Sequence, residues 1–105
     1  MNKKNLNPFF KINKLVHEPA RLMILSYLYV VDSVDYVFLV QHTGLTWGNL
    51  SAHINKLESE GYILVKKEFV NKKPSSLISI TKMGRKEFDK YRIHMKGIYD
   101  DFPNK

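Results

Sequence analysis

One segment, residues 46–60, combines hydrogen-bonding side chains at helical spacing with a polar face that carries a single charge. The members of this face are Thr46, Trp47, Asn49, Ser51, Ala52, His53, Asn55 and Lys56. Asn and Ser side chains both donate and accept hydrogen bonds, which suits close contact with another polar surface better than it suits plain solvation. The chemistry that this segment offers is therefore recognition by hydrogen bonding rather than covalent catalysis.

The opposite side of the same segment predicts how it is held. Its apolar residues recur at intervals of three to five along the chain and are Leu45, Leu50, Ile54 and Leu57. This spacing predicts a helix that buries one face, with Thr46 as its N-cap and Gly61 as its stop. Asp35 is a credible N-cap for a preceding short helix that Gly44 ends. The sequence thus predicts two helices joined by a tight turn.

The remaining elements frame this pair. A short amphipathic helix is predicted over 8–16 and a helix that is apolar nearly all round over 19–31, where it should lie at the centre of the core. Two strands are predicted over 62–70 and 75–80, and a final helix over 82–102. The fold class is mainly α with a small β-hairpin (α+β). The elements occur in the order found in a winged helix-turn-helix with extra N- and C-terminal helices.

Length and charge limit the possible functions. A chain of 105 residues and 12.3 kDa, 44% hydrophobic, is expected to form one domain over 1–105, with its core over about 15–92. A formal charge of +7 and a pI near 9.6 favour a polyanionic partner, with nucleic acid first and an acidic membrane surface second. On charge alone, an ordinary basic protein is an equal alternative.

Several classes of function are disfavoured. The chain has no cysteine, which removes disulfides and thiolate chemistry, and no close pairing of its histidines suggests a metal site. Motifs for phosphate loops or nucleophilic catalysis are absent, so we expect neither an enzyme nor a cofactor. The longest apolar run, at 22–31, is half a membrane span, and the first residues do not form a signal peptide. We expect a cytoplasmic protein without a membrane partner, and nothing indicates a small-molecule effector.

In a winged helix-turn-helix the helix at 46–60 enters the DNA major groove. Asn49 and Asn55 could pair with an adenine edge, while Ser51 could bond a base or a phosphate. His53 could reach either group, and Lys56 would reach a phosphate. Together these residues predict sequence-specific binding to double-stranded DNA. The alternative is a winged-helix module that binds protein or RNA with the same face.

The hairpin supplies the second part of the predicted interface. The wing, residues 66–76, contains four lysines, which are Lys66, Lys67, Lys72 and Lys73. At this position they could contact the DNA backbone or enter a minor groove. Trp47 has two interpretations: it packs against the preceding helix, or it lies against the sugar-phosphate backbone.

Over roughly residues 15–92 the sequence resembles winged-helix transcriptional regulators of the MarR/ArsR type, in the small single-domain group of winged helix DNA-binding domains. The segments that carry the resemblance are "HEPARLMILSYL", "GLTWGNLSAHINKLESEGYILVKK" and "ITKMGRKEF". Ser51 and His53 fall on the Ser-x-His motif of the ArsR type, and Thr81 with Gly84 falls on a Thr-x-x-Gly that follows the wing. The resemblance implies a homodimeric DNA-binding regulator, usually a repressor, whose terminal helices form the dimer interface.

The terminal segments carry an apolar pattern of their own. The predicted dimer-interface residues recur at helical spacing near both ends of the chain and are Phe9, Ile12, Val16, Phe88, Tyr91, Met95, Ile98 and Phe102. A long helix of this kind would expose an apolar stripe in a monomer, which favours self-association. The alternative is that the terminal helices 8–16 and 82–102 pack against each other within one chain.

Overall fold

The computed structural model describes residues 7–102, which form four helices and a three-stranded sheet. The elements in chain order are α1 (Pro19–Val31), β1 (Ser33–Asp35), α2 (Tyr36–Thr43), α3 (Trp47–Ser59), β2 (Ile63–Val70), β3 (Lys73–Ile80) and α4 (Lys82–Asp100). This confirms the predicted α+β winged helix-turn-helix. None of the helices within 7–102 is both long and apolar enough to cross a membrane.

Helix α1 lies at the centre of the core, as its apolar composition predicted. Pro19 occupies its first turn, where no backbone N–H is required, and the Glu18 carboxylate accepts a hydrogen bond from the Arg21 N–H at 2.9 Å. Ile24 and Leu28 are fully buried. They share one apolar cluster with the buried faces of the neighbouring helices, which include Leu39, Leu50, Ile54 and Leu57.

The sheet has the strand order β1-β3-β2, and all pairs are antiparallel. Ile78 of β3 is central, because it pairs with Val34 on one side and Val65 on the other. The sequence had predicted a two-stranded hairpin and only a break at residues 32–35. A three-residue strand is too short to show the alternation that identifies a strand, and β1 exists because β3 offers it a free edge.

The hairpin closes through a two-residue turn, Asn71 and Lys72, whose φ angles are 52° and 64°. Two consecutive left-handed residues fit the twist of a tight antiparallel hairpin. Lys73 and Pro74 had been assigned to a longer turn. They are instead the first residues of β3, where Lys73 pairs with Val70.

The helix predicted over 8–16 is wrong. Only Pro8–Lys11 is helical there, as a single 3-10 turn. The Asn13 side chain explains why the helix does not continue, since its oxygen accepts hydrogen bonds from the backbone N–H groups of Leu15 at 3.0 Å and Val16 at 3.2 Å. Local bonds of this type compete with helical ones.

Helix α4 buries the apolar seam that had been assigned to a dimer. Five of the predicted interface residues are buried within the single chain, namely Val16, Phe88, Tyr91, Met95 and Ile98. The N-terminal segment covers part of this seam, since the Tyr91 hydroxyl lies 2.7 Å from His17 Nδ1, and Tyr29 of α1 packs on Phe88. This corrects the expectation of a stripe left open in a monomer. Phe9 and Phe102 remain about half exposed, and Ile12 is partly buried against the core.

Candidate nucleic-acid interface

The turn between α2 and α3 has the local bonding that the sequence predicted. Asp35 accepts a hydrogen bond from the Phe38 N–H at 2.8 Å and so caps α2. Gly44, at φ 74°, ends that helix, and the Thr46 hydroxyl then accepts from the Asn49 N–H at 3.1 Å to begin α3. These caps fix where α3 starts. The burial of Leu50, Ile54 and Leu57 determines which of its faces points outward.

The outward face of α3 is flat and nearly uncharged. Its exposed residues are Gly48, Asn49, Ala52, Asn55, Lys56 and Ser59. Gly48 and Ser59 were not among the predicted contacts, although their spacing of four and seven residues from Ala52 places them on the same face. The side chains at the centre of this face are small. A partner can therefore approach the helix backbone closely.

Two predicted contacts, Trp47 and Ser51, lie on the side of α3 that faces α2. The Trp47 ring stacks on that of Tyr36, with centroids 5.8 Å apart and planes 17° from parallel, yet Trp47 stays 54% exposed. Burial raises the pKa of Tyr36, and a hydrogen bond with Ser51 opposes that rise. Trp47 therefore packs against α2 and still presents about half of its surface to solvent.

His53 lies on the opposite side of α3, against α1. Its Nδ1 atom is 3.4 Å from the Arg21 guanidinium and 3.8 Å from the Glu18 carboxylate. The side chain is only 24% exposed. Ser51 and His53, the Ser-x-His pair, therefore stand at the two edges of the outward face rather than at its centre.

The wing lysines point in different directions. Lys66 and Lys67 are neighbours in β2, so their side chains leave opposite faces of the sheet. Lys67 is on the face that turns toward α3, and Lys66 is on the other face with Leu77. Lys72 and Lys73 are exposed at the tip. Of the four lysines, Lys67 is the one that borders the space beside α3.

An open groove of about 540 Å³ separates α3 from the wing. Trp47 and Tyr36 form one wall, and Phe69, 77% exposed, forms part of the other. The remaining lining comes from the start of α2 and from both wing strands, and includes Val37, Lys67, Pro74 and Ser76. No sequence pattern predicted this groove, because the residues of its walls are far apart along the chain.

Comparison with known proteins identifies the family of this chain. The sequence pattern of the "Winged helix DNA-binding domain" matches residues 20–99, which include α3, the wing and nearly all of α4. The chain belongs to this family. The resemblance that the sequence motifs predicted is therefore confirmed.

Individual relatives of this winged-helix chain agree with the assignment. An uncharacterised protein of Methanocaldococcus jannaschii is 33% identical over 78 residues, which cover 74% of this chain and 85% of the relative. The structure of a transcriptional regulator homologue from Pyrococcus horikoshii superposes with a TM-score of 0.84 at 26% identity, over 90% of this chain and 98% of the other. A MarR-family regulator from Silicibacter pomeroyi shares the fold, with a TM-score of 0.66 at 22% identity over 93% and 65%.

These findings make the winged-helix protein a DNA-binding transcriptional regulator. Such regulators are not enzymes, in agreement with the prediction from the missing catalytic motifs. Within residues 7–102, no cluster of His, Asp or Glu side chains has the geometry to hold a metal ion.

Proposed function

We propose that the protein is a sequence-specific, homodimeric repressor that places α3 in the DNA major groove and contacts the backbone or minor groove with the wing. The observation that carries the proposal is the outward face of α3. It is small, polar and nearly uncharged, and it lies beside a lysine-bearing hairpin. Small hydrogen-bonding groups fit a groove and discriminate among bases, while lysines neutralise phosphates.

The groove between α3 and the wing suits the DNA strand that separates a major groove from the neighbouring minor groove. Trp47 and Phe69 would lie against deoxyribose, and Lys67 would meet a phosphate. The first N–H groups of α3 add a favourable partial charge at the same place. The carboxylates of Asp35 and Glu68 also line the groove, so the attraction for phosphate comes from Lys67 and not from the groove as a whole.

The tip of the wing supports a role for its side chains. Lys72 adopts a left-handed φ of 64°, a conformation that costs a non-glycine residue roughly 1 kcal/mol. Glycine is the favoured residue at the second position of such a turn. A lysine kept in a strained position at the end of a hairpin is consistent with a contact that needs its charge.

Support for a dimer comes from an exposed aromatic patch, which we define as Phe9, Tyr99 and Phe102. The Phe102 ring lies 6.4 Å from that of Phe9 and 5.9 Å from that of Tyr99, and each of the three is about half exposed. A two-fold dimer would set two copies of α3 about 34 Å apart, on successive major grooves. The operator would then be pseudo-palindromic, and repression would follow from occupancy of a promoter.

The test is binding of the purified protein to its own upstream DNA and to a scrambled duplex across a salt series. We expect tighter binding to the upstream duplex and a steep loss of affinity as salt rises. Replacement of both Lys72 and Lys73 by Ala should weaken both complexes and flatten the salt slope by about one unit per lost phosphate contact.

Three outcomes would contradict parts of this proposal. Equal affinity for the two duplexes would remove sequence specificity, and an unchanged slope in the lysine variant would remove the wing. No binding to either duplex at low salt would point to a protein-interaction module instead. If the upstream duplex is bound, a transcription assay on that promoter separates repression from activation.

A further inference from the structure

The three arginines of this chain all hydrogen-bond to other residues of the chain, and all lie outside α3 and the wing. Arg21 donates from Nε to the Leu15 carbonyl at 2.7 Å, and Arg85 donates to the Tyr29 carbonyl at 3.0 Å. Arg92 donates to the Asp89 carboxylate at 3.0 Å. These residues belong to α1 and α4, so neither α3 nor the wing presents a guanidinium group.

This placement matters because arginine is the residue that most often identifies guanine. Its planar fork bonds O6 and N7 of the base at once. The only cation on the outward face of α3 is Lys56, whose ammonium lies 3.8 Å from the Glu60 carboxylate. An ammonium can also contact O6 and N7 of guanine, but it lacks the fixed planar fork of arginine, and the Glu60 carboxylate partly offsets the charge of Lys56. The outward face therefore has one cation able to select guanine, and that cation is paired within the helix.

The groups that the face does present have different base partners. Asn49 and Asn55 are exposed, and an amide side chain pairs with N6 and N7 of adenine. The methyl group of Ala52 lies at the centre of the face, where it suits the C5-methyl of thymine. Gly48 adds no side chain, and a methyl group placed there would meet nothing within 4 Å. The two amides and the methyl group of Ala52 each favour A·T pairs, and Gly48 permits a close approach.

The wing offers a second route to such a preference, because a narrow A·T minor groove attracts basic side chains and lysine is the basic residue of this wing. A preference that arose there would not depend on N7 of adenine, which lies in the major groove. This makes the origin of the preference testable atom by atom.

We propose that the base pairs facing α3 in each half-site are A·T pairs, with adenines opposite Asn49 and Asn55 and a thymine methyl against Ala52. The inference rests on the proposed DNA-reading role of α3 and names the sequences that this role selects. Lys56 and the wing lysines then set affinity without choosing the base.

The experiment begins with selection of bound duplexes from a randomised pool. In the selected site, each conserved adenine is replaced in turn by 7-deazaadenine, which removes the N7 acceptor and leaves base pairing and the minor groove intact. We expect about a 10-fold or larger loss of affinity for the wild-type protein at the contacted adenines. The Asn55→Ala variant should bind the natural and modified duplexes equally at its own position, since the contact is already absent.

A matched control and a second probe sharpen the result. Lys56→Ala should lower affinity for natural and modified duplexes alike and keep the full 7-deazaadenine effect. Replacement of thymine by uracil should weaken binding at the position that faces Ala52, because uracil lacks the methyl group.

The outcomes separate this inference from the function on which it rests. A selected site with guanines in the positions that face α3 would overturn the inference and leave sequence-specific binding intact. An A·T-rich site without any 7-deazaadenine effect would also overturn it, since the preference would then arise outside the major groove. No enriched sequence at all would overturn both.

Discussion

Gly84 lies directly against the backbone of Tyr62: a Cβ atom at Gly84 would stand 2.1 Å from the Tyr62 carbonyl oxygen. The same oxygen accepts a hydrogen bond from the Thr81 N–H at 3.0 Å, and the Thr81 hydroxyl accepts from the Gly84 N–H at 2.9 Å. The Thr-x-x-Gly motif thus joins the start of α4 to the residue that precedes β2. It fixes the base of the wing.

This contact predicts that Gly84→Ala destabilises the fold, although alanine normally favours a helix. The methyl group would displace backbone atoms, and overpacking of this kind costs about 1–3 kcal/mol. Gly97→Ala is the matched control in the same helix, because its Cβ would meet nothing within 4 Å. It should stabilise by roughly 0.5–1 kcal/mol. Urea denaturation measures both, and a stable Gly84→Ala variant would contradict the close approach.

Lys72→Gly should change stability and DNA affinity in opposite directions. Glycine removes the strain of the left-handed residue, so the free energy of unfolding should rise by roughly 0.5–1 kcal/mol. The loss of one positive charge at the wing tip should weaken binding to every duplex and reduce the salt slope by about one. Thermal unfolding and a salt titration test the two effects. Unchanged affinity would show that the tip makes no phosphate contact.

Gly48→Ala tests how closely α3 approaches its partner. Alanine is favoured in a helix and meets no neighbour in this chain, so the variant should be as stable as the wild type or more so. On DNA the added methyl group would lie in the interface, and we expect weaker binding to the operator. Ser26→Ala, on the exposed side of α1, serves as a distant helix control. Full affinity in the Gly48 variant would mean that this end of α3 stays clear of the bases.

Tyr99→Lys should weaken the proposed dimer. The substitution places a charge in the exposed aromatic patch, which has Phe9 and Phe102 beside it. Ile93→Lys is the control, because Ile93 is equally exposed on α4 but points away from the helix's buried seam. In sedimentation equilibrium, the Tyr99 variant should dissociate into monomers at a higher protein concentration than the wild type does. Equal association of both variants would exclude this patch as the interface.

We expect Asp89 to make the stability of the fold sensitive to low pH. Hydrogen bonds from Tyr29, at 2.5 Å, and then from Arg92 lower the pKa of its carboxyl group below the ordinary 3.8. A group whose pKa is lower in the folded state stabilises the fold above its unfolded pKa and loses that effect as pH falls through the folded value. Stability should therefore decrease below about pH 4, and less steeply in Asp89→Asn. Denaturation curves over this range measure the difference.

Local capping chemistry could be predicted from the sequence, whereas contacts between distant segments could not. Asp35 and Thr46 each accept the backbone hydrogen bond predicted for an N-cap, because such a bond spans only three residues. The burial of Tyr91 depended instead on the path of the N-terminal segment, which Asn13 diverts from a helix and which brings His17 to 2.7 Å from the Tyr91 hydroxyl. The helical pattern alone could not tell a seam covered within one chain from one covered by a partner.

The pairing of β3 with both β1 and β2 makes the hairpin an extension of the core rather than an independent flap. Since β1 leads directly into α2, the wing, α2 and the start of α3 form one connected frame, which carries both walls of the groove beside α3. In the dimer that we propose, a signal that releases the protein from DNA would therefore act on the separation of the two subunits and not on the groove within each one.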